Sequence, residues 1–87
     1  MTSKADYIYK FDGDFLIIKD LNLGGMSVTN SIEDVVKNIC DINNRNPNTL
    51  HIIYRDTDGI WDGWNNKTKS FILIQSTNVD DAINYFK

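Results

Sequence analysis

The stretch YRDTDGIWDGW, running from Tyr54 to Trp64, sets three aspartates, two glycines and two tryptophans within eleven residues. A cation loop, a catalytic aspartate loop and a tight hairpin all use these residue types. The hairpin follows most directly from their chemistry. Aspartate can hydrogen-bond its own backbone two residues on, and glycine accepts positive φ, so Asp56, Asp58 and Gly59 form a turn between HIIY on one side and IWDGW on the other. A hairpin here makes the second half of the chain a set of antiparallel strands.

The competing readings fail on spacing. Asp56 and Asp58 occupy positions one and three of a calcium loop. Such a loop then needs an oxygen ligand at five, glycine at six and glutamate at twelve. This chain puts Ile60, Trp61 and Lys67 there, so no metal is expected. The strand ending in Asp56-Thr57-Asp58-Gly59 also resembles the nucleophile motif of haloacid-dehalogenase-type phosphatases. That resemblance implies that the first aspartate attacks phosphorus and the second acts as acid and base. It also implies a longer, doubly wound parallel core, whereas the motif here leads towards another strand. No catalytic residue and no cofactor are expected.

Working outward, DGD at residues 12–14 turns YIYKF into FLIIKD. Gly24-Gly25 marks a loop, and its surroundings lack the lysine and spacing of a phosphate-binding loop. Ile32, Val35, Val36, Ile39 and Cys40 form an amphipathic helical stripe. Asn30 or Ser31 is its expected N-cap, with Glu33 or Asp34 three residues on. Pro47 disfavours helix at Asn46. Strands follow at LHIIYR, IWDGW and SFILIQ, the last two joined by NNKT. A closing helix carries Val79, Ala82, Ile83 and Phe86, capped by Asn78. The expected fold is one α+β domain over residues 1–87, in two layers: a mostly antiparallel sheet with two helices on one face, in the order ββα-βββα.

Composition bounds the rest. A chain of 87 residues with net charge −3 lacks the clustered Lys and Arg of a protein built on nucleic-acid backbones. One cysteine, Cys40, excludes an intrachain disulfide and reads as a small buried hydrophobe. His51, the one histidine, sits in an apolar strand and reads as structural. MTSKADY is no signal peptide, and no run is long enough to span a membrane, so a cytoplasmic location is expected.

Trp61 and Trp64 are three residues apart and point to opposite faces of a regular strand, one expected in the core and the other exposed. An exposed Trp beside tyrosines makes a protein-binding anchor. The expected partner-binding residues are therefore Trp61, Trp64, Asp56, Asp58, Asp62 and Arg55, with Tyr7 and Tyr9 in support. The aspartates would select a basic surface on a host or cellular protein. The expected function is a small non-enzymatic protein-binding module, a phage-encoded inhibitor or modulator. The alternative is a single-strand nucleic-acid binder with an aromatic sheet face, which needs Lys4, Lys10, Lys19, Lys67 and Lys69 to converge. A homodimer is compatible with either.

Finally, SVTNSIEDVV (27–36) followed by IIYRDTDGIWDGW (52–64) resembles a loose set of small bacterial and phage proteins. They share a Ser-Val-Thr-Asn helix start and a Tyr-Arg-Asp hairpin. The resemblance implies the fold and no function.

Overall fold

The computed structural model describes residues 6–22, 28–56 and 58–87. In chain order it forms β1 (Asp6–Asp12), β2 (Phe15–Asn22), α1 (Val28–Asn43), a short 3-10 turn (Pro47–Thr49), β3 (His51–Arg55), β4 (Trp61–Asn65), β5 (Ser70–Ser76) and α2 (Val79–Asn84). The strands make one five-stranded sheet in the order β1-β2-β3-β4-β5. Every neighbouring pair is antiparallel except β2–β3, which is parallel. The reason is connection length. Short turns join antiparallel strands, whereas a parallel pair needs a crossover, which α1 supplies. The architecture is α+β.

Local chemistry sets the ends of these elements. Asp12 pairs with Phe15 across Gly13-Asp14, and Gly13 has φ 60°, at the position a type II′ turn reserves for glycine. Helix α1 stops at Asn44, whose φ is 56°. The Arg45 amide donates to the Cys40 carbonyl at 2.9 Å and the Asn44 amide to that of Asp41 at 3.4 Å, closing a Schellman motif. At α2 the Asn78 side chain accepts from the Asp80 amide at 2.7 Å, as its residue type suggests. The start of α1 differs from expectation. The backbone is already helical at Val28, so Asn30 and Ser31 lie inside the first turn and neither is the N-cap. An apolar stripe fixes which face is buried, not how many residues precede it. Gly24 and Gly25 fall outside the described residues.

The two helices do not share a face. Leu16 and Ile18 of β2, Ile52 and Tyr54 of β3, and Trp64 of β4 pack against Ile32, Val35, Val36, Ile39 and Cys40 of α1. Ile17, Ile53 and Trp61 turn to the opposite face, where they meet Ala82 and the half-buried Val79, Ile83 and Phe86 of α2 and its end. The layering is thus helix, sheet, helix, and the expected pair of helices on one side is corrected. The cause lies in the central strands. β2 and β3 are apolar at consecutive positions, so both of their faces need cover, and one helix can cover only one.

Candidate functional site

The β3–β4 connection is a hairpin, with Arg55 opposite Trp61, Tyr54 opposite Asp62, Ile53 opposite Gly63 and Ile52 opposite Trp64. Its loop is tied by Asp56. One carboxylate oxygen accepts from the Asp58 amide at 2.8 Å and from the Ile60 amide at 3.0 Å. The Asp56 amide donates to the Ile60 carbonyl at 3.0 Å, and Gly59 adopts φ 81°. This is the turn chemistry that the residue types implied. It commits Asp56 to the backbone, while Asp58 stands exposed.

Asp62 is committed as well. Its carboxylate accepts from the Ile74 amide at 3.1 Å, the Gln75 amide at 3.0 Å and the Gln75 side-chain amide at 3.1 Å. These bonds bridge a bulge. Trp61 pairs with Ser76 and Gly63 with Ile72, so β5 accommodates extra chain opposite Asp62, and Gln75 takes φ 57°. The carboxylate supplies the acceptor that the interrupted ladder lacks.

The tryptophans do point to opposite faces, but neither stands in solvent. Trp61 is 4% exposed in the α2-side cluster, with the Arg55 guanidinium 5.7 Å from its ring centre. Trp64 is 1% exposed in the α1-side cluster, edge-on to Phe71 at 5.0 Å. Its indole N–H donates to Asn66 at 3.3 Å, and Asn66 donates to Asn48 at 2.8 Å. With both faces of the sheet covered, opposite faces are both interior, so the expected exposed Trp does not exist. Tyr9 is half-buried, accepts from Asn43 at 3.0 Å and packs edge-on to Phe11. The side chain of Tyr7 lies outside the description. The hairpin thus keeps Asp56 and Asp58 in its loop, sends Arg55 and Asp62 to opposite faces of the sheet, and withdraws both indoles into the interior.

Tyr54, opposite Asp62, is the group whose protonation the fold shifts most plainly. Burial, then the negative charges of Asp62 and Asp56, push its phenol up to about 12. The ordinary value is near 10, so as pH rises the unfolded chain releases this proton first. The stability concerned is whole below about pH 10 and drains away towards pH 12, by roughly 2–3 kcal/mol. Urea midpoints measured from pH 8 upward are expected to fall in that window, and less steeply in Tyr54→Phe. Equal slopes in the two proteins would remove Tyr54 as the cause.

Other chemistry-bearing residues are placed as follows. Cys40 is 1% exposed, and burial above all raises its thiol away from the reactive form. His51 is exposed but stacked, its ring centre 4.8 Å from that of Phe86 and 5.0 Å from that of Phe15. Among the described residues no three His, Cys, Asp or Glu side chains gather as a metal site. Among them, too, no helix is long and apolar enough to cross a membrane.

Sequence reasoning missed the apolar surface that the fold does expose. Phe71 and Leu73 of β5 are 41% and 77% exposed. Their neighbours Ile72 and Ile74 turn to the α2 side, Ile74 packing in that cluster and Ile72 lying beside Gly63. Phe71 and Leu73 share the face of α1, but the α1 cluster reaches no farther than Trp64 of β4. No known protein family, curated protein or solved structure matches this chain.

Proposed function

We propose that this chain is a small non-enzymatic protein-binding module that modulates a cellular protein, and that it docks its partner on β5. The observation that carries this reading is the pairing of Phe71 and Leu73 on one face of an edge strand. An edge strand presents a row of backbone groups directed away from the sheet. An extended segment of a partner can pair with that row while its apolar side chains cover the strand's own. Phe71 also rests against Trp64 and lies 6.3 Å from Tyr54, so the exposed ring is held by the core beneath it. A rigid aromatic anchor of this kind loses little entropy on contact. The net charge of −3 favours a basic partner and speeds encounter with it. In this reading Phe71 and Leu73 take the role first given to Trp61 and Trp64.

The test is capture from nuclease-treated lysate, with affinity then measured on the purified partner. Leu73→Asp removes an exposed side chain and is expected to leave stability within about 0.5 kcal/mol. It is expected to weaken the partner at least tenfold. Equal binding by the folded variant would sink the assignment to β5. A second copy on the same edge would show instead as a dimer that Leu73→Asp dissociates, and would replace the foreign partner.

A further inference from the structure

The face opposite α1 carries a second surface, independent of β5. Ile17 belongs to the α2-side cluster, and strand alternation puts Lys19 on the same side. Lys10 pairs with Ile17 and Ile8 with Lys19, so both share it. Ile53 likewise puts Arg55 and His51 there. The parallel register pairs Phe15 with His51 and Ile17 with Ile53, and its continuation sets Lys19 beside Arg55. Helix α2 packs on β4 and β5. Among the described residues Ile8 and Lys10 of β1 and Lys19 of β2 are exposed on this face, while Ile17 between them is buried beside Phe15 and Phe86.

Three cations therefore stand on one sheet face, Lys19 between Lys10 and Arg55 and the outer two roughly 12 Å apart, given a strand spacing of about 4.8 Å and a two-residue advance of about 6.8 Å. Lys10 and Lys19 make no ion pair among the described residues. Arg55 is half-buried over Trp61. Alternation puts Asp12 at the hairpin end of the same β1 row, where it bounds the cationic strip. The overall charge of −3 does not cancel such a strip. At physiological salt the Debye length is about 8 Å, so an anion seated over Lys19 feels its two cationic neighbours. Asp12, one step from Lys10, and Asp80 and Asp81 of α2 on the same side limit the strip.

We infer that Lys10, Lys19 and Arg55 hold the phosphate backbone of a single-stranded nucleic acid laid across β1–β3. One feature favours that polyanion over an acidic peptide, since guanidinium and ammonium groups match carboxylate and phosphate oxygens alike. The ring stack of His51 on Phe86 beside Phe15 also lies on this face, and its exposed member offers a base a surface to stack on. An exposed row of a sheet face accommodates splayed single strands. Lys67, in the turn between β4 and β5, and Lys69, paired with Glu33 of α1 at 3.3 Å, take no part. Of the five lysines first considered, Lys10 and Lys19 share this face, Lys67 and Lys69 do not, and Lys4 lies outside the described residues.

Fluorescence anisotropy of a labelled oligothymidylate across a salt series tests the inference. Three single-strand contacts predict a slope of log affinity against log salt of about −2. Lys10→Gln/Lys19→Gln is expected to flatten it to about −0.7. Lys37→Gln/Lys67→Gln, which removes the same charge elsewhere, should leave it unchanged, as should Leu73→Asp. Absence of binding at low salt overturns the inference, and so does equal weakening in the control double variant. Polyglutamate binding as tightly as oligothymidylate would also overturn it, by assigning the face to an acidic protein segment.

Discussion

Trp64→Ala is expected to lower unfolding free energy by about 3–5 kcal/mol, the usual range for deleting a large buried aromatic side chain. The indole is 1% exposed, sits among Leu16, Ile52 and the α1 stripe, supports Phe71, and satisfies Asn66 through its N–H. Removing it opens a cavity under α1 and orphans an amide in one step. Small domains hold only about 5–15 kcal/mol in total, and those of this size bury a modest share of their surface. A loss of this magnitude leaves a large unfolded population near body temperature. Urea denaturation followed by circular dichroism measures it directly. A loss under about 1 kcal/mol, with the fold retained, would restore Trp64 as a surface residue. Any binding defect seen in this variant therefore reports unfolding first.

Gly63→Val is expected to cost about 3 kcal/mol, at the upper end of what overpacking a tight site costs. A side chain at Gly63 points to the α2 face, and its Cβ would stand 3.0 Å from Ile72 Cβ, 3.2 Å from Ile74 Cδ1 and 3.5 Å from Phe86 Cζ. The isoleucine methyl and the phenyl ring can shift. Ile72 Cβ is fixed to the backbone of β5 and moves only with the strand. The two further methyl groups of valine enlarge the conflict. Thermal melts of Gly63→Ala and Gly63→Val should rank in that order below the parent protein. Adding Ile74→Val to Gly63→Val removes the Cδ1 contact and should recover part of the loss, because neighbouring substitutions that share a clash are not additive. Ile72→Ala keeps its Cβ and should recover little. Full additivity would show that the conflict lies elsewhere.

The turn chemistry and the helical stripes of this fold are plain in the chain itself. Asp-Gly at 58–59 and Gly13 between two aspartates demand positive φ, and Asn78 caps α2 by the side-chain bond its type suggests. The layering was also encoded, though in a less familiar form. FLII and HIIY are apolar at successive positions, which marks strands buried on both faces, and this requires a helix on each side. A tryptophan spacing of three does send the rings to opposite faces, yet facing away from α1 meant facing α2. The exposure of Phe71 and Leu73 was not legible at all. It depends on how far α1 reaches across the sheet, a tertiary quantity on which the local run SFILIQ carries no information.

The bulge held by Asp62 has a consequence for how this protein behaves in a crowd. Among the described residues no further strand pairs with β1 or β5. A sheet ending in two such edges is a template for head-to-tail growth, β5 of one molecule laid against β1 of the next, which nothing in the arrangement closes. Growth of that kind needs a long, even edge. Here the amides of Ile74 and Gln75 are turned inward to a carboxylate, and Gln75 takes a left-handed conformation that breaks the line of the strand. One aspartate thus interrupts the edge and shortens the even run that such growth needs.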